Sequence, residues 1–235
     1  MTHYRRIRAL LFDLDGTLVD TETHTGGTIE AVVARHGITG FTLPPVETRG
    51  RTWQHVAELI RTRTPMDLPT AALVAELLAH WNAATTDVKA IPGAPEALRA
   101  AAAHKLKLAV VSSSPRAVIG RFLEKLGVAD LVDERARIGA DDVRNGKPDP
   151  EGFLMAARAL EVDPEEALVF EDSRAGLLAA RAAGMRSMFV TCCADDVGEN
   201  AALASAFVRD YRALPASFWD QLIRGSDDLA GRSFT

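Results

Sequence analysis

Short apolar runs recur along the chain, and segments of helical periodicity separate most of them. Buried strands and amphipathic helices produce these two patterns, so they predict the order of elements. Strands are predicted at residues 7–12, 106–111, 167–170 and 187–190, with weaker ones at 131–132 and 207–208. Helices are predicted at residues 92–103, 115–127, 150–160, 174–183 and 215–223. This alternation is typical of an α/β fold, a doubly wound, Rossmann-like parallel sheet with helices on both faces.

Two segments depart from this alternation. Residues 22–88 contain no predicted strand, and helical periodicity there covers residues 23–36, 51–63 and 70–84. We therefore expect an all-helical cap domain at residues 22–88, inserted into an α/β core domain of residues 1–21 and 89–235. The residues after Gly225 are mostly polar and are expected to be frayed.

Two carboxylates, Asp13 and Asp15, follow the first predicted strand directly. An ionised Asp is expensive to desolvate, so a buried strand should not end in this way without a compensating partner. A second acidic pair, Glu171 and Asp172, follows the predicted strand at residues 167–170. Since parallel strands place their carboxyl ends at one edge, the two pairs are expected to meet there. Carboxylate oxygens together with a substrate phosphate suit Mg²⁺, which is the expected cofactor.

Other polar residues fall at the same predicted edge. Gly16 lets the chain turn and lets backbone N–H groups approach a phosphate, and Thr17 adds a hydroxyl. Ser112 ends another apolar run and can hold a phosphoryl oxygen, with Ser113 a further candidate for substrate binding. Lys147 lies in a proline-stiffened loop, where it can neutralise a nucleophile and a phosphate as a point charge.

Charge and apolar content exclude some classes of function. The net charge of −5 and pI of about 5.7 argue against a nucleic-acid binder with a broad basic surface. A phosphorylated metabolite remains compatible, because a few local cations can dominate a cleft. No apolar run approaches the ~18 residues that suggest a membrane span. We expect a cytoplasmic protein without nucleic-acid or membrane partners, either a monomer or a homodimer.

Four motifs in order resemble the haloacid dehalogenase-like superfamily of phosphatases and phosphomutases. They are Asp13-Leu14-Asp15-Gly16-Thr17, Ser112 after an apolar strand, Lys147 before Pro148, and Glu171-Asp172. The likeness covers nearly the whole chain, including the inserted helical segment. The last two motifs are similar to the branch that contains phosphoglycolate phosphatase, sugar-phosphate phosphatases and β-phosphoglucomutase.

The resemblance implies a magnesium-dependent phosphatase for a small phosphorylated metabolite. Asp13 would attack phosphorus to give an aspartyl-phosphate, and Asp15 would protonate the leaving oxygen and later activate water. Ser112 and Lys147 would stabilise charge on the phosphoryl group. The implied Mg²⁺ ligands are the Asp13 carboxylate, the Asp15 backbone carbonyl and Asp172. Glu171 would be either a further ligand or a residue that contacts one of the ligands.

The remaining candidates for substrate binding are cations and a histidine. Arg49 and Arg51 flank a glycine in the predicted cap, Arg116 follows Ser112 at a helix start, and His24 lies at the entry to the cap. The three arginines are also compatible with solvated surface positions. Sequences that resemble β-phosphoglucomutase carry a histidine where this chain has Thr25. That difference weakens a sugar phosphomutase, the alternative function.

Two further interpretations stay open. A catalytically idle binding or regulatory protein is disfavoured by the intact set of acids. Cys192 and Cys193 are the two cysteines in the chain, and as neighbours they rarely form a disulfide. A redox-active or metal-binding pair is conceivable, but an apolar pair at a strand end is the favoured interpretation.

Overall fold

A computed structural model describes residues 5–194, 197–225, 229 and 231–234. Its seven strands form a single parallel sheet in the order β3-β2-β1-β4-β5-β6-β7. The strands are β1 (Ala9–Phe12), β2 (Lys107–Val111), β3 (Arg137–Ile138), β4 (Ala167–Glu171), β5 (Arg186–Val190), β6 (Ala206–Val208) and β7 (Arg232–Phe234). The predicted α/β class is confirmed.

Helices flank the sheet and fill the segment between β1 and β2. They are α1 (Glu22–Arg35), α2 (Pro45–Thr48), α3 (Trp53–Arg63), α4 (Thr70–Ala84), α5 (Ala94–Ala103), α6 (Arg116–Lys125), α7 (Glu151–Leu160), α8 (Arg174–Ala182), α9 (Val197–Ala201) and α10 (Phe218–Arg224). Within the described ranges, none of these helices combines the length and the apolar character that a membrane crossing requires.

The strand order creates a crevice between β1 and β4. The chain runs outward from β1 through β2 to β3 and then returns to the other side of β1 to form β4. Such a switch point opens a ligand crevice beyond the carboxyl ends of the strands. Phe12 of β1 pairs with Phe170 of β4, so Asp13 and Glu171 follow these partners at the same level of the sheet. Both strands are buried along their length, which explains their unbroken apolar sequences.

Residues 22–88, all of which the structure describes, contain helices α1 to α4 and no strand. Helix α4 packs against α1 and α3, and the rings of Trp81 and Trp53 meet in an edge-to-face arrangement with centroids 6.2 Å apart. Trp81 also contacts Phe122 of α6 at 6.1 Å, so this helical insertion and the sheet domain share one apolar core. Arg121 of α6 adds a cation over the Trp81 ring at 6.0 Å.

Two predicted elements were wrong. Residues 131–132 are not a strand, because Ala129–Leu131 form a 3₁₀ turn and the edge strand β3 comes later, at Arg137–Ile138. The tail was expected to be frayed, yet β7 pairs with β6 and completes the sheet. The apolar Phe234 carries that pairing, since its ring contacts Phe218 of α10 at 5.7 Å. Residues 226–228, 230 and 235 of the same tail lie outside the described residues.

Candidate active site

Three buried carboxylates meet at the crevice between β1 and β4. Asp13, Glu171 and Asp172 each offer an oxygen, and these oxygens lie within 4.8 Å of one another. The Asp13 backbone N–H donates to the Phe170 carbonyl at 2.9 Å, which continues the pairing of the strands and fixes the first carboxylate. The predicted meeting of the two acidic pairs is therefore present for these three residues.

Lys147 lies between two of these carboxylates. Its ammonium donates to Asp13 and to Glu171 Oε1, the latter at 2.5 Å, and it lies 5.2 Å from the centre of the Phe153 ring. Burial by itself would lower the pKa of Lys147, but the charges of Asp13 and Glu171 outweigh it and hold this pKa above its usual range. Lys147 is therefore a fixed positive charge beside Asp13.

Neighbouring groups orient the other two carboxylates. Glu171 Oε2 accepts hydrogen bonds from the Ser173 backbone N–H at 2.7 Å and the Ser173 hydroxyl at 2.9 Å. A Cβ at Gly176 would lie 1.7 Å from Glu171 Oε1, so only a glycine leaves room for this carboxylate in the first turn of α8. The Thr17 hydroxyl donates to Asp172 Oδ1 at 3.3 Å.

The donor set of this cluster fits a divalent cation. With all three carboxylates ionised, the cluster would carry two negative charges more than the Lys147 ammonium neutralises, and burial accordingly raises the pKa of Asp13 well above its usual value. Buried charges of this kind are strongly unfavourable unless they are paired or bound to a metal. Carboxylate oxygens are hard ligands that Mg²⁺ prefers, and Mg²⁺ takes one or two of them together with water and phosphate.

Asp15 lies two residues from Asp13 and has different partners. Its Oδ1 accepts from the Thr21 hydroxyl at 2.8 Å, and its Oδ2 accepts from the Ser112 and Ser114 hydroxyls at 3.1 Å each. Gly16 makes this possible, because at φ of 80° the chain turns sharply after the strand. Burial raises the pKa of Asp15, and the three hydroxyl groups offset that rise only in part.

A cavity of about 40 Å³ lies between the two aspartates and the helical insertion. Thr25, Arg51, Trp53 and Trp81 line it from the insertion, and Ser113 lines it from the sheet domain. A water needs roughly 10–15 Å³ by this measure, so the cavity has room for only a few waters. The site is polar where the acids lie and aromatic on the opposite wall.

The loop after α2 closes this cavity against the sheet. A Cβ at Gly50 would lie 2.3 Å from Ser173 Oγ, and the Gly50 carbonyl accepts from the Ser113 hydroxyl at 2.8 Å. Arg51 Nη1 donates to the Lys147 carbonyl at 3.1 Å. The insertion is therefore seated directly on the residues that form the acidic site.

Comparison with known proteins decides the family. Residues 10–190 match the family model of the haloacid dehalogenase-like hydrolases. The chain belongs to this hydrolase family. Among curated relatives, the validoxylamine A 7'-phosphate phosphatase of Streptomyces hygroscopicus is 36% identical over 213 residues, which cover 86% of this chain and 93% of the relative. A phosphorylated carbohydrates phosphatase of Thermotoga maritima is 31% identical over 192 residues, covering 78% and 84%.

Solved structures of this hydrolase family share the fold. The crystal structure of a β-phosphoglucomutase from Clostridium difficile superposes with a TM-score of 0.78 over 94% of this chain and 98% of that one. Its sequence identity is 24%, so the likeness shows the fold alone. The resemblance predicted from the sequence motifs is confirmed.

Several predicted substrate-binding residues of the hydrolase lie away from the cavity. Arg116 is engaged by the Asp142 carboxylate, at 2.7 Å from Nη2, and by the Glu134 carbonyl, at 2.6 Å from Nη1. Arg49 Nη1 donates to the Cys193 carbonyl at 2.5 Å, beside a neighbouring cavity. His24 is half-buried in the first turn of α1, and the next residue, Thr25, lines the cavity in its place.

The structure also brings in residues that the sequence did not single out. Thr21 and Ser114 both hold Asp15, and Ser173 holds Glu171. Ser173 carried a usable signal, because a serine directly before a helix is a common N-cap and its hydroxyl does accept from the Gly176 N–H at 3.0 Å. Thr21 and Ser114 carried no such sequence signal, since their contacts with Asp15 depend on how the loops after β1 and β2 fold.

Proposed function

We propose that this hydrolase is a Mg²⁺-dependent phosphatase that acts through an aspartyl-phosphate on Asp13. One observation carries the proposal. Asp13 and Asp15 line the same cavity, but Asp13 contacts the charged ammonium of Lys147, whereas Asp15 contacts neutral hydroxyl groups such as that of Thr21. A nucleophile must be ionised. Burial and the charges of Glu171 and Asp15 raise the pKa of Asp13 well above its usual value, the ammonium of Lys147 opposes that rise, and a divalent cation bound to the cluster would oppose it further. A general acid must hold a proton at the start of the reaction, and the raised pKa of Asp15 favours one.

The acidic cluster would hold the metal ion. The Asp13, Asp172 and Glu171 carboxylates supply the side-chain ligands in this proposal, and the Asp15 backbone carbonyl supplies another. Bound Mg²⁺ would neutralise charge on the phosphoryl group. Lys147 adds a second positive charge there, and the Ser112 hydroxyl binds a phosphoryl oxygen when it leaves Asp15.

The backbone after Asp13 has a separate role in this proposal. The N–H of Gly16 closes its own turn by donating to the Val19 carbonyl at 2.8 Å, so Gly16 supplies the sharp turn, and Thr17 keeps Asp172 oriented through its hydrogen bond. Asp15 then protonates the leaving oxygen, and the same carboxylate accepts a proton from the water that hydrolyses the intermediate.

The helical insertion acts as a cap domain in this proposal, with bounds at residues 22–88 and a core at 1–21 and 89–235. The cavity of about 40 Å³ is too small for a metabolite, so the loop at Gly50 must lift before substrate enters. Its return expels bulk water from the reacting groups while a nucleophilic water is retained. Arg51 and Ser113 then contact the substrate from opposite walls.

We propose a small phosphorylated metabolite, such as a sugar phosphate or a phosphoglycolate-like acid, as the substrate. Relatives named for phosphorylated carbohydrates and for validoxylamine A 7'-phosphate support this class. The aromatic wall formed by Trp53 and Trp81 suits a compact carbon skeleton.

The first test is Asp13→Asn, assayed by phosphate release from sugar phosphates, phosphoglycolate and nucleotide monophosphates. Removal of the nucleophile should lower kcat by more than about 1,000-fold, because no covalent intermediate can form. Asp210→Asn is the matched control, since Asp210 is also buried but pairs with Arg212 away from the site. Near-normal turnover by Asp13→Asn would refute covalent catalysis at this residue.

A sugar phosphomutase remains the alternative, and a product assay separates the two. With β-glucose 1-phosphate as substrate, a phosphatase releases inorganic phosphate, whereas a mutase accumulates glucose 6-phosphate. Thr25 lines the cavity at the position where sequences resembling β-phosphoglucomutase have a histidine, which favours release of phosphate. Accumulation of glucose 6-phosphate would transfer the assignment to the mutase.

A further inference from the structure

The two cysteines lie at the seam between the sheet domain and the helical insertion. They follow β5, and the Cys192 backbone N–H donates to the Arg209 carbonyl at 2.9 Å, which continues the pairing with β6. Cys192 is exposed and Cys193 is half-buried, with their sulfur atoms 3.7 Å apart. The expected apolar pair at a strand end is therefore wrong for Cys192, whose thiol is open to solvent.

Cys193 connects this strand end to the insertion. Its carbonyl accepts from Arg49 Nη1 at 2.5 Å, and its sulfur lies 3.7 Å from Oδ1 of Asp20, in the segment that leads into α1. Both cysteines line a cavity of about 380 Å³ at this seam. Thr25 and Thr48 line this cavity and also the catalytic one, so the two cavities share a wall.

We propose that Cys192 and Cys193 form a reversible thiol-oxidation site that controls the seating of the insertion. The reagent class is a low-molecular-weight disulfide. The chemical step stands independently of the proposed phosphatase activity, whereas its effect on turnover rests on that activity. A metal site is a poorer explanation, because within the described parts of the chain the one group with three ligand atoms inside 4.8 Å is the acidic cluster.

The reaction has two thiol–disulfide exchanges. The exposed Cys192 thiolate attacks one sulfur of the reagent, forms a mixed disulfide and releases one thiolate of the reagent. Cys193 then loses its proton to solvent and attacks Cys192 Sγ, which closes a ring between neighbours and releases the second thiol. Two protein thiols are oxidised and one disulfide is reduced. The sulfur–sulfur hydrogen bond lowers the pKa of Cys192, which favours it as the attacking residue.

Ring closure must disturb the contact with Arg49. The sulfur atoms have to approach from 3.7 Å to about 2.05 Å, and the Cys193 backbone carries the carbonyl that Arg49 binds. Consecutive Cα atoms are only about 3.8 Å apart, less than the usual span of a disulfide, so the ring is strained and easily reduced. Easy reduction is what a reversible control requires.

The chemical test is mass spectrometry of the intact protein after incubation with oxidised glutathione. The wild type should lose about two hydrogens per chain, and dithiothreitol should restore the original mass. Cys193→Ser should instead retain one glutathione on Cys192, whereas Cys192→Ser should react at least about tenfold more slowly. An unchanged wild-type mass, or equal reactivity of the two variants, would overturn the proposal.

The structural test compares trypsin cleavage after Arg49 and Arg51 in the reduced and oxidised proteins. Oxidation should accelerate cleavage there about 5- to 20-fold, because the charge-assisted contact to the Cys193 carbonyl is lost. Arg49→Met lacks that contact and the first cleavage site, so cleavage after Arg51 in this variant should show little further acceleration on oxidation. Equal cleavage of reduced and oxidised wild type would refute control of the insertion, and this readout needs no substrate. Where phosphate release is measured, oxidation should lower kcat/KM by a similar factor.

Discussion

Asp13 and Asp15 are two residues apart, yet their surroundings differ in kind. Asp13 lies among formal charges, against the ammonium of Lys147 and beside two other carboxylates. Asp15 is held by three neutral hydroxyl groups and is not part of the carboxylate cluster. A single leucine separates them, and the turn at Gly16 brings the following segment, with Thr21, back to Asp15.

The difference shows how one short loop can supply two chemical roles. Burial raises the pKa of both carboxyls, that of Asp13 well above its usual value. The ammonium of Lys147 opposes this rise at Asp13, whereas hydroxyl groups do so at Asp15. A divalent cation bound on the charged side would push the two pKa values apart, which is a general way to obtain a base and an acid in one site. Substitutions on either side of the site can break this division of roles, and the largest effect is expected at Asp15.

Asp15→Asn should separate the two halves of the proposed reaction. With an alkyl phosphate, kcat should fall by about 10²–10⁴-fold, because no acid protonates the leaving alkoxide. With p-nitrophenyl phosphate, whose leaving group needs no proton, the variant should release one burst of nitrophenolate and then stall as the phosphoenzyme. Rapid-quench measurement of the burst checks this.

Asp13→Asn is the contrast for that experiment, since it should give no burst with either substrate. If Asp15→Asn lost activity equally on alkyl and aryl phosphates, without a burst, the assignment of Asp15 as the acid would fail. If Asp13→Asn retained the burst, the nucleophile would have to be another group.

Gly176→Ala should disturb the carboxylate cluster around Lys147 and leave the hydroxyl groups around Asp15 in place. The new methyl would lie 1.7 Å from Glu171 Oε1, so this carboxylate must leave its place beside Lys147. Displacing such a group typically costs 10- to 100-fold in metal affinity, so the Mg²⁺ concentration for half-maximal activity should rise by about tenfold or more. A magnesium titration of phosphate release measures it.

Gly27→Ala in α1 is the matched control, because a Cβ there meets nothing within 4 Å. It should leave the Mg²⁺ requirement unchanged and stabilise the protein by about 0.5–1 kcal/mol, as expected for a glycine replaced inside a helix. An unchanged Mg²⁺ requirement in Gly176→Ala would remove Glu171 from the proposed metal site.

The charged side of the site was predictable from the sequence for a physical reason. Asp13 and Glu171 directly follow apolar strands, and parallel strands of matching register must bring their ends together. The role of Lys147 was predicted from its proline-stiffened loop and from the family resemblance. The position of β3 was missed because Arg137–Ile138 is too short to give a periodic pattern. The strand β7 was missed for the same reason, since one apolar residue, Phe234, anchors it.

The hydroxyl side was not predictable. Thr21 approaches Asp15 only after the chain has turned at Gly16, and Ser114 approaches it only because the loop after β2 bends back over β1. No spacing along the sequence encodes either contact. An arginine at a helix start gives the same pattern whether it faces a cleft or a carboxylate, so the place of Arg116 was equally undetermined.

Arg116→Ala should have the smallest effect on catalysis and would show that Arg116 is not a second cation at the substrate phosphate. Because Asp142 and the Glu134 carbonyl hold the guanidinium, kcat/KM should change by no more than about twofold. A tenfold rise in KM at unchanged stability would instead place Arg116 on the substrate. The expected loss is one of stability, about 1 kcal/mol at neutral pH once solvent screening of this partly exposed pair is allowed for.

The stability that Arg116→Ala loses should depend on pH in a definite direction. Burial would raise the pKa of Asp142, but hydrogen bonds from Arg116 and the Gly139 N–H outweigh it and leave this pKa below its usual value. The pair therefore contributes stability above about pH 4, where an unfolded Asp is ionised, and loses it as the pH falls through the lowered pKa. Urea unfolding at pH 7 should thus separate wild type from Arg116→Ala, and the gap should narrow at about pH 3. A gap that widened in acid would show that Asp142 does not depend on Arg116.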